Sequence, residues 1–243
     1  MELHFIAKMC VILFALFSTQ QNFETDTFQT QSGELKITFI GHGTLMMKFD
    51  GKTIHIDPVG RYADYSKMPK ADLILITHEH GDHLDADAIS KIKKKSTEII
   101  LTEKCHEQYG SGKILKNGET GEFAGIIIEA VPAYNIKHKR SEGNPFHPKG
   151  IGNGYVLHFG GKKVYVAGDT ENIPEMADLK NIDIAFLPMN MPYTMTPEMV
   201  ADAAKIIRPT ILYPYHFGNT DTQKLIDLMK NQDETEVRIR KLN

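Results

Sequence analysis

Short apolar runs alternate with polar breaks along the chain, and the period of the alternation changes from one segment to the next. Residues 35–40 read Leu-Lys-Ile-Thr-Phe-Ile, an every-second-residue pattern that predicts a half-buried strand. Segments 44–49 and 52–56 flank Asp50-Gly51, a two-residue turn signal that predicts a hairpin. Leu73-Ile-Leu-Ile76 is continuously apolar, as expected of a strand covered on both faces. Residues 85–94 carry helical spacing, with Ala86, Ala88, Ile89 and Ile92 apolar. Further strands are predicted over 98–101, 125–131, 155–159, 163–167, 184–187, 210–213 and 237–239, with Gly160-Gly161 as a second hairpin turn. Thr196-Pro197 supplies a cap and a first-turn proline for a helix running to about Ile207, and 222–229 is another helix. Two rounds of strands followed by helices, without a short-period repeat, predict one layered α/β domain with mixed sheets.

The N-terminus follows a different pattern. Met9 to Phe17 is an unbroken apolar run. It is shorter than the roughly 20 residues that span a bilayer, and it suits the apolar segment of a secretory signal peptide. Residues 18–30 are polar and read as a linker. The expectation is therefore a signal peptide and linker over 1–30, a domain over 31–243, and an exported protein. Hydrophobic residues make up 41% of the chain and charged residues 24%, which suits a packed core. A net charge of −3 gives no general pull on nucleic acid or anionic lipid. A small-molecule substrate is expected, with no nucleic-acid partner and no membrane span. Cys10 lies in the leader, so Cys105 has no internal disulfide partner in a mature chain. The unusual count is histidine, at 11 residues.

The apolar strand at 73–76 runs into Thr77-His78-Glu79-His80-Gly81-Asp82-His83. Neutral imidazoles and carboxylates are borderline ligands that suit zinc, iron or manganese. Residues two apart in an extended segment point the same way, so His78 and His80 can grip one ion. After the turn at Gly81, Asp82 and His83 can face a second.

These residues resemble the His-x-His-x-Asp-His signature of the metallo-β-lactamase superfamily. The resemblance runs from about residue 37 to residue 216. It implies a four-layer αββα sandwich with two mixed sheets, and two divalent metal ions, Zn2+ first and Mn2+ or Fe2+ as alternatives. Gly168-Asp169-Thr170 looks like the segment whose Asp bridges the two metals, although alone it reads equally as a helix N-cap. Tyr213-Pro-Tyr-His216 looks like the element that carries the last His of the second site. Gly41-His-Gly-Thr44 followed by Ile56-Asp57-Pro58 resembles the ascorbate-6-phosphate lactonase and N-acylphosphatidylethanolamine phospholipase D branch. There Asp57 and Thr77 are expected to orient a ligand His. His42 reads equally as a pocket residue or a buried structural one.

One position departs from the resemblance. The first metal needs a third His, and Val131-Pro-Ala-Tyr-Asn135 places Asn where it is expected. His147 from the following loop is the first choice to replace it; His138, or Asn135 itself with water, are the others. The expected metal set is thus His78, His80, Asp82, His83, His147, Asp169 and His216, with Asp82 also carrying the proton of a metal-activated water. The implied activity is hydrolysis of an ester, lactone, amide or phosphodiester. A nuclease of the same fold and a non-catalytic metal- or ligand-binding module are the rival readings. Lys137-His-Lys-Arg140 is either an anion contact near the site or a solvated loop. Gly150-Ile-Gly-Asn-Gly154 reads as a flexible loop beside the pocket. The Met189–Met195 segment reads as pocket roof or core.

Overall fold

The computed structural model describes residues 21–242. The apolar run at 9–17, and with it the export expectation, lies outside them. The first sheet is built from β1 (Glu24–Thr30), β2 (Gly33–Gly41), β3 (Thr44–Phe49), β4 (Lys52–Ile56), β5 (Leu73–Leu75), β6 (Glu98–Leu101) and β7 (Lys113–Ile114), hydrogen-bonded in that order. β1 to β4 form an antiparallel meander, and β5 to β7 add in parallel. Asp50 and Gly51 turn the β3–β4 hairpin with φ of 46° and 69°, the doubly left-handed turn the dipeptide favours. Helices α1 (Ala86–Ile92) and α2 (Glu103–Tyr109) follow β5 and β6. The side chains of Asp85 and Thr102 cap their N-termini by accepting backbone N–H bonds.

The second sheet comprises β8 (Thr120–Phe123) and β9 (Ile126–Ala133), then, beyond a small hairpin of β10 (Lys139–Ser141) and β11 (Asn144–Pro145), β12 (Gly152–Phe159), β13 (Lys162–Val166), β14 (Ile184–Pro188), β15 (Ile211–Tyr215) and β16 (Glu236–Val237). Its order is β16-β15-β14-β13-β12-β9-β8, parallel from β13 to β16 and antiparallel elsewhere. Helices α3 (Pro197–Ile207) and α4 (Thr222–Met229) follow β14 and β15. Thr196 caps α3 through the Met199 N–H, with Pro197 at the first position, as its sequence predicts.

The two sheets face each other across one core. Phe39 of β2 lies 6.2 Å from Phe186 and 5.0 Å from Tyr213, and Phe49 packs edge-on against Phe159 at 5.2 Å between centroids. The alternate residues of the first sheet, Ile40, Met46, Ile74, Ile76 and Ile99, bury against α1 and α2. Val200, Ala204 and Leu225 of α3 and α4 belong to the same buried cluster as the second sheet. Helix, sheet, sheet, helix is the four-layer α/β sandwich that the sequence resemblance implies.

Two segments differ from expectation. Residues 24–30, read as linker, form β1, paired over its whole length with β2. The segment contains one apolar residue, Phe28, so its periodicity carries almost no signal; it is held as an edge strand by its partner and by Asp26, which pairs with Arg240 at 2.6 Å. Residues 152–154, read as a flexible loop, begin β12. Their glycines serve close packing: a Cβ on Gly154 would sit 2.9 Å from the Ala167 carbonyl oxygen and 3.1 Å from Val131. Helix α2 and the β10–β11 hairpin are additions that the apolar pattern does not announce, since each is short and largely polar.

Candidate metal centre

The carboxyl ends of the parallel strands β4, β5, β13 and β15 meet at one edge of the sandwich. Asp57 leaves β4, the 77–83 turn leaves β5, Gly168-Asp169 leaves β13 and His216 leaves β15. The β2–β3 turn adds His42. Distant stretches of chain thereby deliver their donor atoms to one spot. Asp169 is the hub. Its carboxylate oxygens lie 3.8 Å from His78 Nε2, 3.5 Å from His83 Nε2, 3.3 Å from His147 Nε2 and 3.4 Å from His216 Nε2. On one side of it stand His78, His80 and His147; on the other stand Asp82, His83 and His216, with His42. All seven residues that the sequence nominates as ligands are in this cluster.

Backbone geometry makes the approach close. Gly168 holds φ of 65° and any Cβ there would meet the Asn153 carbonyl oxygen at 2.6 Å. A Cβ on Gly43 would lie 2.8 Å from the His83 ring. Asp57, fully buried, accepts from the Thr77 N–H at 2.8 Å and the Thr77 hydroxyl at 2.6 Å, and lies 2.8 Å from His83 Nδ1. That contact leaves His83 Nε2 pointing at Asp169.

The donor chemistry fits divalent cations. His83 Nε2, Asp169 Oδ1 and both ring nitrogens of His216 are buried and without a hydrogen-bond partner, which is costly for groups that water cannot reach. A cation among them satisfies donors that the protein leaves open. The electrostatics agree. Burial holds the His78 ring well below its ordinary value, and the neighbouring His83 charge adds to this. Burial and His147 do the same to His80. His83 goes the other way: burial opposes its charge, but Asp169 and Asp57 on either side lift it to about 9. Burial works against ionised Asp169, yet the His216 and His83 charges keep its carboxyl well below the usual range.

A sequence profile described as a β-lactamase superfamily domain matches residues 36–216. A UPF0173 metal-dependent hydrolase from Thermococcus onnurineus is 35% identical over 199 residues, 76% of this chain and 85% of that protein. Another from Desulforamulus reducens is 30% identical over 194 residues, with the same shares. The solved structure of a protein named as a metal-dependent hydrolase from Parabacteroides distasonis is 54% identical, with a TM-score of 0.87, covering 91% of this chain and all of that one. Igni18, a metallo hydrolase from Ignicoccus hospitalis, is 26% identical with a TM-score of 0.70, covering 84% of this chain and 94% of its own. The chain belongs to the metallo-β-lactamase superfamily and is a metal-dependent hydrolase.

In this metallo-β-lactamase-superfamily chain the departure at Asn135 has a structural answer. Asn135 Oδ1 accepts from the His147 backbone N–H at 2.8 Å and lies 2.7 Å from His147 Nδ1, while the Asn135 N–H donates to the His147 carbonyl at 2.8 Å. His147 Nε2 is thereby turned toward Asp169. Glu171, two residues past the hub, carries the arrangement. Its carboxylate accepts from the backbone N–H groups of Ile136, Lys137 and His138 at 2.6–2.9 Å and from the Asn135 side-chain amide at 3.2 Å. Burial opposes its charge, but those donors hold its carboxyl below the ordinary value. His138 Nδ1 sits 2.8 Å from Glu171, turned away from the ligand cluster.

Glu171 is a functional residue that the sequence pattern does not reveal; its only signal is its place directly after Gly-Asp-Thr. His42, ambiguous in sequence, is a site residue: its Nε2 is 3.3 Å from Asp82 Oδ2, and its ring lies 3.6 Å from that of His216. The Met189–Met195 segment divides, with Met189 and Met195 in the core and Tyr193 exposed at the cleft. Within Lys137–Arg140, Arg140 reaches the cleft while the backbone N–H groups of Lys137 and His138 serve Glu171.

Proposed function

We propose that the chain is a di-metal hydrolase acting on an ester, lactone or phosphodiester of a small molecule. The observation that carries this reading is the position of Asp169 between two separate imidazole groups, within 3.8 Å of a nitrogen from each. His78, His80 and His147 would hold one ion, Asp82, His83 and His216 the other, with Asp169 between them and Zn2+ the first candidate. A metal pair so held supplies an activated water and polarises the oxygen of the scissile acyl or phosphoryl group. The protein's own contribution is placement and proton handling. Asp82 faces the cleft, with its Oδ2 3.3 Å from His42 Nε2 and 3.7 Å from His216 Nε2. It is set to take a proton at Oδ2 and pass it to the leaving group. His42 Nε2, 3.3 Å from that oxygen, fixes its orientation.

The cleft beside the cluster measures about 300 Å³ and is lined by His80, Asp82, Arg140, Phe146, Asn190 and Tyr193, among others. That size suits a small molecule rather than a polymer groove. Export rests on the 9–17 run, and N-terminal sequencing of protein from the native host tests it. The central experiment is elemental analysis of freshly purified protein beside a screen of nitrophenyl esters, lactones and phosphodiesters. Two metal equivalents, with turnover that Asp82→Ala abolishes, is the expected result. Undiminished turnover in verified metal-free protein rejects the reading.

A further inference from the structure

The loop that Glu171 fastens runs directly into the β10–β11 hairpin, and the hairpin brings Arg140 to the mouth of the cleft. Arg140 Nη2 lies 3.4 Å from His80 Nε2. Its guanidinium rests over the face of Phe146, 5.1 Å from the ring centroid, and Phe146 meets Tyr193 edge-on at 5.0 Å. An arginine stacked in this way keeps its planar fork in a fixed direction. Arg238 and Arg240 have carboxylates within 3.5 Å. Among the described residues, no carboxylate comes within ion-pair distance of Arg140.

The partner that Arg140 does have is incompatible with a ligating His80. His80 turns Nδ1 inward, 3.1 Å from His78 Nε2, and Nε2 outward to Arg140. A neutral imidazole that gives Nδ1 to a cation carries its proton on Nε2. Two N–H donors then face each other at the rim, and only an acceptor between them completes the arrangement.

We propose that Arg140 and His80 Nε2–H form an oxyanion subsite, so that the substrate carries a carboxylate or phosphate close to its scissile bond. This rests on the hydrolase reading of the same cleft. The guanidinium fork takes either oxyanion through two parallel N–H bonds, and Phe146 and Tyr193 wall the apolar part of the molecule.

The test uses the zinc-loaded full chain and two esters of matched length, mono(4-nitrophenyl) glutarate and 4-nitrophenyl valerate, which differ in a terminal carboxylate. Wild type favours the glutarate ester in kcat/KM. Arg140→Ala collapses that preference by about tenfold to a hundredfold, the scale of one charge-assisted guanidinium contact. Arg140→Lys recovers part of it, and elemental analysis finds the wild-type metal content in both variants. A second arm needs no turnover. Calorimetric titration with glutarate and with propyl phosphate reads anion affinity directly, and the anion whose binding weakens at least tenfold in Arg140→Ala names the natural group. Should neither ester be turned over, the hydrolase reading of ester substrates fails while the titrations still decide the subsite. An ester preference untouched by Arg140→Ala, or anion binding indifferent to it, overturns the inference.

Discussion

The two halves of the metal centre are held by different means. His83 closes the turn that follows β5 and His216 directly follows β15, and His83 is braced by Asp57 and Thr77, both fully buried. His147 comes from the segment after β11, and its bearing depends on Asn135 and, through it, on Glu171. The first half inherits the rigidity of the core. The second is an assembly of loop backbone wrapped around one carboxylate. Orientation of a ligand is therefore inseparable from global folding on one side and nearly local on the other, and each predicts its own pattern of damage.

The largest effect is expected where the halves meet. Asp169→Ala removes the shared hub, and elemental analysis should find both metal equivalents lost, together with all turnover. Next comes Asp57→Asn. It withdraws the charge opposite buried His83, and loss of a buried partner of this kind costs about 3–5 kcal/mol; denaturant unfolding should register it, and the protein should lose stability as well as metal. His147→Ala is milder for the fold but removes about one metal equivalent, and an unaltered metal content would exclude His147 as a ligand. Asn135→Ala keeps that ligand while releasing its orientation, so metal affinity at this position should fall by about 10–100-fold, the usual cost of losing a ligand's hydrogen-bond partner. A competition titration with a chelating dye would measure it.

Glu171→Gln should have an effect that depends on pH. The folded carboxyl is held below its ordinary value, so the ionised form contributes stability that is fully present above the ordinary value of about 4.3. That stability is lost as pH falls through the lower, folded value. The gap in unfolding free energy between wild type and variant, about 2–3 kcal/mol near neutrality for hydrogen bonds to a charged group, should therefore narrow in acid. His138→Ala should change metal content least, because the ring faces Glu171 rather than the cluster.

The strand-borne ligands were open to reading in the sequence, because His78, His80, Asp82 and His83 follow one apolar strand with fixed spacing and Asp169 and His216 each follow another. The loop-borne ligand was legible only as a choice, with His147 first and His138 or Asn135 itself as the others. Asn135 stands where a histidine is expected, and nothing local states that it hands the ligand role to a residue 12 positions on. That information lies in a hydrogen bond between distant backbone segments and in a buried glutamate, neither of which leaves a periodic trace. The same limit hid β1. An edge strand with a single apolar side chain looks like linker until its partner is known, and Gly152–Gly154 looks flexible until neighbouring strands are seen to press on it.

β1 has a practical consequence for how far the amino-terminal end can be shortened. Its Asp26 salt-bridges Arg240 and contacts the Tyr213 hydroxyl, and Glu24 accepts the Lys241 N–H at 2.7 Å, so the opening strand and the closing residues buckle each other into place. A protease or an expression design that trims as far as residue 30 would unfasten the carboxyl tail along with the strand. A truncation that keeps this clasp intact has to stop upstream of Glu24.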